Sequence, residues 1–543
     1  MKYCIGIDYG TLSARAILIN LDNGNTVAES EFKYPHKVMD ITLPCGTPVD
    51  KNSAFQHPQD YIDALSFTIR DIVKKSETNV NDIVGIGIDF TSCTMLPVDE
   101  NAVPLCFKDE FKTEPQAYAK LWKHHSAQDE ADYIDTLAKE HNQVWLDSYG
   151  GKVSSEWMIP KILETLRKAP DVYKKACYFI EAADWLTILL TGNNVLSSCT
   201  TGYKGMWNKQ SGYPSSEFLS KITPKFKNLA GTKLLDTVLP TGSKAGTLSE
   251  HGVSLTGLSK ETIVAVPIID AHASLPAAGI SDKKLMLILG TSSCHIVMSK
   301  KNIPVKGICG SVEDGIVPGY TAYEAGQACV GDSFNWFIEN IVPAGYINEA
   351  NALGKNIFEY LDSKASALKI GENHLIALDW WNGNRTPYAD YDLTGAIIGL
   401  NIQTKPEEIY RAMLESTAYG TRSIIELYES NGIEIEEIYA TGGISQKNSF
   451  LMQLYADIIG KKIIVPDIPQ AGAKGSAVLA SCACGYYKTY EEATKALCNY
   501  PRHIYTPIKE NTKAYEKLYS VYKELSVLFG ETHRHIMKKL NEL

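Results

Sequence analysis

An α/β protein of two related domains facing each other is the fold this sequence predicts, on three observations. Two hairpin patterns of the same type stand 280 residues apart, GTLSARAIL from Gly10 and GTSSCHIVM from Gly290, with glycine, threonine and serine at matching positions. After each, apolar strand patterns alternate with helical ones. At 543 residues the chain exceeds the size at which a single hydrophobic core usually splits.

The elements follow in chain order. In MKYCIGIDYGTLSARAILIN the apolar runs Cys4 to Ile7 and Ala16 to Ile19 flank a polar turn with Asp8, Gly10, Thr11, Ser13 and Arg15, the pattern of a β-hairpin. A buried strand ending in a carboxylate and followed by glycine and hydroxyls offers N–H and O–H donors to an anion and an acid to a metal. An ordinary hairpin with a polar tip is the competing reading. IVGIGIDF reads as a buried strand ending in Asp89, for which second-layer support of a metal is one role. TIVAVPIIDAHASLPAAGI is weakly charged, but Asp270, His272 and two prolines make it a buried strand running into a helix rather than a membrane span. LMLILGTSSCHIVM is the second hairpin, turning at Gly290, Thr291, Ser292 and Ser293. EIYATGGISQKNSFLMQLYADIIG is a strand, a glycine turn and a long helix, in which Gly442 and Gly443 let the backbone approach a flat ligand and Asn448 opens the helix. From Asn511 onward, Tyr515, Leu518, Tyr522, Leu525 and Leu528 recur at helical spacing, the mark of a packed core face.

Composition excludes several functions. With 44% hydrophobic and 21% charged residues the chain is globular, and a net charge of −10 without a basic stripe argues against nucleic acid and anionic membrane as partners. The twelve cysteines are scattered, and Cys482 and Cys484 lack the C-x-x-C spacing of zinc sites. Met1 is followed by Lys2 and at once by a patterned strand, so no signal peptide is expected and the cytoplasm is the expected compartment. No Walker P-loop or protein-kinase catalytic loop is present, so nucleotide binding would use another device, such as a phosphate hairpin in each domain.

The hairpins, together with YGGKVSSEWMIPKIL, IEAADWLTILLTG, GYKGMWN, KGICGSVEDGIVPGYTAYEAGQACVGDSFNWF and LDWWNGNRTPYAD, resemble the FGGY carbohydrate kinase family of the actin-like ATPase superfamily over nearly the whole chain. The resemblance implies two actin-like, ribonuclease-H-like domains facing across an ATP/sugar cleft. Residues 1–281 would hold the sugar site and the catalytic base, and 282–543 the nucleotide site. It implies ATP- and Mg²⁺-dependent phosphorylation of L-ribulose to L-ribulose 5-phosphate, a step of L-arabinose catabolism. Another pentulose or pentitol (D-ribulose, ribitol or D-xylulose) is the alternative substrate, and a non-sugar actin-like ATPase the alternative class. A homodimer is a possible assembly that the sequence itself does not reveal.

By the same resemblance Asp270 is the catalytic base and also touches the sugar; from the residues alone, an aspartate at such a junction reads as a helix cap. Asp8 matches the metal position. Gly10, Thr11, Gly290 and Thr291 match phosphate contacts, assisted by Ser13 and Arg15, while Gly442, Gly443 and Asn448 form the third nucleotide loop. Arg15 reads equally as a structural ion-pair partner. Ser92, Lys204 and Glu324 match the sugar pocket, with a smaller residue frequent in the family at the Ser92 position. Lys204, Asp270 and Glu324 discriminate a kinase from a switch ATPase, which needs no proton acceptor beside a polyol pocket. Trp157 and Trp207 read as core residues before sugar-stacking ones.

Overall fold

The β-branched runs at the start of the chain pair as an antiparallel hairpin of β1 (Tyr3–Tyr9) and β2 (Ser13–Asn20), extended by β3 (Thr26–Lys33). A computed structural model describes residues 1–541. It divides into two units, the first made of Met1–Ile280, Ser311–Ala322 and Ile468–Asn499, the second of Ser281–Gly310, Tyr323–Asp467 and the chain from Tyr500 onward.

In the first unit, helix α1 (Pro58–Ser76) buries Tyr61, Leu65, Ile69 and Ile72, an apolar stripe at helical spacing. Strand β4 (Ile83–Phe90) lies parallel to β1 and is buried at every residue but Val84, which is why it reads as a continuous apolar run. Helix α2 (Ser198–Lys204) starts from a Ser197 cap. Strands β5 (Lys244–Thr247), β6 (Ile263–Ala265) and β7 (Ile268–Ile269) complete a sheet of order β5-β6-β4-β1-β2-β3, with β7 also parallel to β4. Helix α3 (Asp270–Ala278) leaves directly from β7, so TIVAVPIIDAHASLPAAGI is strand and helix as expected.

A helix from late in the chain, Ala471–Ala483, belongs to this unit, so the expected division at 281/282 is coarser than the packing. It lies directly on β1 and β4 because glycines stand at the contacts. A Cβ at Gly6 would sit 1.7 Å from the Ala473 carbonyl oxygen, and one at Gly87 would sit 2.0 Å from that of Ser476. Elsewhere in the unit, the buried Lys120 and His124 share the Glu164 carboxylate (2.9 and 2.8 Å), a packing role for that histidine.

The second unit repeats the plan. Strands β8 (Lys284–Leu289) and β9 (Ser293–Ser299) form the second hairpin, flanked by β10 (Thr321–Gln327). Helices α4 (Gly331–Asn340) and α5 (Pro406–Ser430) follow, then β11 (Glu437–Thr441), parallel to β8 as β4 is to β1. Short α6 (Gly443–Lys447), α7 (Ser449–Ile459), β12 (Ile463–Pro466), β13 (Arg502–Tyr505) and α8 (Lys509–Val527) complete it, giving the order β10-β9-β8-β11-β12-β13. The inner face of α8 is Tyr515, Tyr519 and Tyr522, with Leu518 and Leu525 partly buried against the same core. Leu528 leaves that face: it falls in a π-turn after α8 and is 38% exposed.

Candidate functional site

Residues Gly6-Ile7-Asp8 of β1 pair in parallel register with Gly87-Ile88-Asp89 of β4, and β7 pairs with β4 so that Ile268 faces Asp89. Asp270 is the next residue after β7. Three carboxylates therefore stand at the carboxyl ends of parallel strands, where α/β sheets bind their ligands.

Asp270 is the first residue of α3 rather than its cap, and its Oδ1 accepts the Ala271 N–H at 2.7 Å. Burial pushes its carboxyl up to about 7 against that N–H; the Asp8 charge adds to the rise and the Lys204 ammonium opposes it. Asp89 is fully buried, with Oδ2 accepting the Ser476 hydroxyl at 2.7 Å and Oδ1 without a partner. Burial and the neighbouring Asp8 charge hold it well above the usual carboxylate range, and burial raises Asp8 in turn, with its proximity to Asp89 and the Arg15 charge opposing. A Cβ at Gly472 would lie 3.0 Å from Asp8 Cγ and from Asp89 Oδ1, so glycine keeps the space before the pair clear.

Crowded carboxylates with an orphaned oxygen and a clear cradle fit a hard divalent cation. Among the described residues no group of three or more His, Cys, Asp or Glu could hold a metal alone. Mg²⁺ needs no such cage, since it keeps several waters and takes the rest of its ligands from one or two carboxylates and substrate phosphates. The part of Asp89 in this pair was legible in principle, because GID occurs at the end of both strands.

At the first hairpin's tip the Gly10 N–H donates to the Ser13 carbonyl (3.0 Å), and Trp122 Nε1 donates to the Thr11 hydroxyl (3.2 Å). Ser13 Oγ and Arg15 Nε both donate to Glu31 Oε1, at 2.9 and 3.3 Å, so the strand edge occupies these two side chains. Lys204 ends α2, and its charge is felt both by Asp270 and by Cys93, the neighbour of Ser92 in the turn after β4. Glu324 lies in β10 of the second unit, in the field of Arg385, a residue of the LDWWNGNRTPYAD segment to which no role was assigned from sequence. Trp157 is buried against Tyr149, and Trp207 lines a separate cavity of about 530 Å³ in the first unit.

The second unit holds a cavity of about 700 Å³ lined by Gly290, Thr291, Gly443 and Asn448 from the expected set. Gly442 shapes it indirectly. Its φ is 98°, and a Cβ there would lie 2.2 Å from the Leu289 carbonyl oxygen, so only glycine lets the turn after β11 close on β8. Asn448 caps α7 by accepting the Leu451 N–H (2.8 Å) and donates to Asp362 Oδ2 (2.9 Å). Phe334, Phe358 and Ile444 supply apolar wall, and Asn335, Asn356 and Lys447 supply polar groups. Such a lining suits a flat heteroaromatic ring with an anionic tail at the glycine turns. Asn335 lies within DSFNWF and Lys447 within TGGISQKN, both singled out from sequence, though neither residue was given a role; Asn356 and Asp362 carried no sequence signal, because only the fold brings their segments together.

The FGGY family of carbohydrate kinases matches this chain with its N-terminal domain over residues 3–275 and its C-terminal domain over 285–484. The chain belongs to that family. The ribulokinase of Bacillus licheniformis is 47% identical over 538 residues, covering 98% of this chain and 97% of the relative. That of Staphylococcus aureus (strain Newman) is 42% identical over 544 residues, covering 100% and 99%. Among solved structures, a xylulose kinase from Rhodospirillum rubrum superposes with a TM-score of 0.81 at 20% identity, over 97% of this chain and 99% of that one. Plasmodium falciparum glycerol kinase with ADP gives 0.77 at 18% identity, over 97% and 98%. At such identities the structures establish the fold alone, the two-domain actin-like α/β fold. As an FGGY carbohydrate kinase the chain is an enzyme that transfers a phosphoryl group from ATP to a small sugar, which excludes the switch-ATPase alternative. No helix among the described residues is long and apolar enough to cross a membrane.

Proposed function

We propose that this carbohydrate kinase phosphorylates L-ribulose at the 5-hydroxyl with Mg²⁺-ATP, using Asp270 as general base. The observation that carries the mechanism is the Asp270 carboxyl, half-buried at a strand end and pushed by desolvation up to about 7, where a base can both exist deprotonated and hold a proton. The sugar's identity is supported by the ribulokinase relatives at 42–47% identity over nearly the full chain.

In this reading Asp270 takes the hydroxyl proton as the sugar oxygen bonds to the γ-phosphorus, whose bond to the β,γ-bridging oxygen breaks so that ADP leaves. Lys204 donates to a sugar hydroxyl, and Ser92 and Glu324 complete the polyol contacts. The turns at Gly10–Thr11 and Gly290–Thr291 offer backbone N–H and hydroxyl donors to the phosphates, and the nucleotide's ring occupies the cavity beside Gly443. Asp8, supported by Asp89, would hold Mg²⁺, which when bound neutralises phosphate charge and so favours attack. Twelve scattered cysteines suit a reducing cytosol. A coupled assay of ADP release across L-ribulose, D-ribulose, D-xylulose and ribitol tests the assignment: the highest kcat/KM is expected for L-ribulose, and a higher value for another sugar overturns it.

Because the base must be ionised, kcat/KM for the sugar should fall tenfold per pH unit below about 7, the value to which burial raises the Asp270 carboxyl. A profile flat from about pH 5.5 to 8 would remove Asp270 from the proton transfer.

The nucleotide cavity is tested at two open glycines. A Cβ at Gly443 would meet nothing within 4 Å, and one at Gly290 only the Ser292 carbonyl oxygen at 3.8 Å, so the backbone accepts a side chain at both positions and Gly443→Val and Gly290→Val direct it into open space. Each should raise the KM for ATP roughly tenfold or more, equivalent to about 1.4 kcal/mol, with Tm unchanged. Unchanged ATP kinetics in both would place the nucleotide elsewhere.

A further inference from the structure

Three buried ionisable residues that the mechanism leaves unused, Lys161, Glu181 and Asp184, stand behind the sugar-binding groups of the first unit, two of them in the IEAADW segment. Lys161, in the helix Met158–Lys168, donates from Nζ to the carbonyls of Cys93 (2.7 Å) and Leu121 (2.9 Å). Cys93 follows Ser92 and has φ 57°, a left-handed conformation that costs energy in any residue with a Cβ. Tertiary bonds therefore hold this turn: besides Lys161, the Thr91 and Thr94 hydroxyls bond each other at 2.9 Å, and Cys93 Sγ donates to the Glu156 carbonyl.

Glu181 ends the strand Tyr178–Glu181 opposite Met95, at the N-cap position of the helix Ala182–Thr191, whose Ala182 N–H donates to the Thr94 carbonyl at 2.7 Å. Its Oε1 is buried without a partner. The charges around it are Asp184, Lys161 and Lys204. In the first turn of the same helix, Asp184 accepts the Ser197 N–H at Oδ1 (2.8 Å) and the Thr200 hydroxyl at Oδ2 (2.7 Å). Ser197 caps α2 and Thr200 lies within it, and Lys204 is that helix's last residue. The N-terminus of one helix thus touches both the turn that presents Ser92 and the helix that presents Lys204.

Stability alone does not account for such a set, because buried charges can often be replaced by packed apolar groups at no loss of stability. The Lys161 bond to Cys93 and both Asp184 bonds end on the segments that carry the sugar contacts, and Glu181 faces the charges of Lys161 and Lys204. We propose that Lys161, Glu181 and Asp184 are positioning residues that fix Ser92 and Lys204 for the sugar, an inference that rests on the reading of those two residues as sugar contacts.

Asp184→Asn, Glu181→Gln and Lys161→Met should each raise the KM for L-ribulose roughly tenfold, equivalent to about 1.4 kcal/mol, with the KM for ATP within about twofold. Thr200→Val, which removes the hydroxyl facing Asp184 and keeps its shape, should move the sugar KM the same way and serves if a charge variant does not fold. Lys204→Met is the reference. Once it is in place, adding Asp184→Asn should change the sugar KM little further, since the carboxylate acts through the lysine. If Lys204→Met raises the sugar KM while the four variants lower only Tm, or shift both KM values equally, the positioning role is overturned and the sugar site stands. If Lys204→Met leaves the sugar KM unchanged, the site assignment falls and the inference with it.

Discussion

Asp270→Asn should lower kcat by roughly 10²- to 10⁴-fold, the range contributed by a positioned general base, with the KM for the sugar within about threefold. Asparagine has the size of aspartate, and its side-chain oxygen still accepts the Ala271 N–H that Oδ1 accepts at 2.7 Å. What it lacks is a lone pair basic enough to hold the hydroxyl proton. The fold should not suffer. The folded-state pKa of about 7 lies above the ordinary aspartate value of about 3.9, so between these values the folded protein binds a proton that the unfolded chain does not. This group's contribution to stability falls as pH rises through that window, and above pH 7 the folded state carries the full cost of ionising a partly desolvated carboxyl. The neutral variant avoids that cost, so at pH 8 its Tm should equal or exceed that of the wild type. Single-turnover phosphorylation and thermal unfolding check both halves: a kcat near wild type removes Asp270 as the base, and a large fall in Tm at pH 8 contradicts the desolvation account.

What the sequence showed of this site depended on how local each signal was. Both hairpins are contiguous patterns, so Gly10, Thr11, Gly290 and Thr291 fall at turns as expected. The strand ends at Asp8, Asp89 and Asp270 were visible too, but the pairing of Asp8 with Asp89 depends on parallel register, which joins residues 81 positions apart. The helix Ala471–Ala483 is least legible, because AGAKGSAVLASCA has the composition of an ordinary helix. Its partners are glycines on β1 and β4, residues with no side chain to pattern. Likewise, nothing in the sequence singles out Asn356 or Asp362 until the fold sets them around one cavity with Lys447 of the glycine loop. Ser13 and Arg15 show the reverse case. Their hairpin position was correctly read, yet a carboxylate on the next strand, Glu31, engages both.

The glycines under that late helix set up the second large effect. Gly475→Ala should lower Tm by about 5 °C or more and kcat with it, although alanine in place of glycine within a helix ordinarily stabilises by about 1 kcal/mol. The sign reverses because of one distance: a Cβ at Gly475 would lie 1.8 Å from the Ala273 carbonyl oxygen, a backbone atom of α3 that cannot rotate away. The two helices must then separate. Overpacking of this kind typically costs about 1–3 kcal/mol, occasionally more, and in domains of this size each 1 kcal/mol lowers Tm by about 2–4 °C. Ala273 stands three residues beyond Asp270 on α3, so the displacement reaches the base, and protein that remains folded should phosphorylate the sugar slowly even at saturation. Gly345 is the matched control. It too is helical, but a Cβ there meets nothing within 4 Å, so Gly345→Ala should hold or raise Tm with kcat unchanged. If Gly475→Ala matches the control in both measurements, the late helix does not hold α3, and the positioning of Asp270 must come from β7 alone.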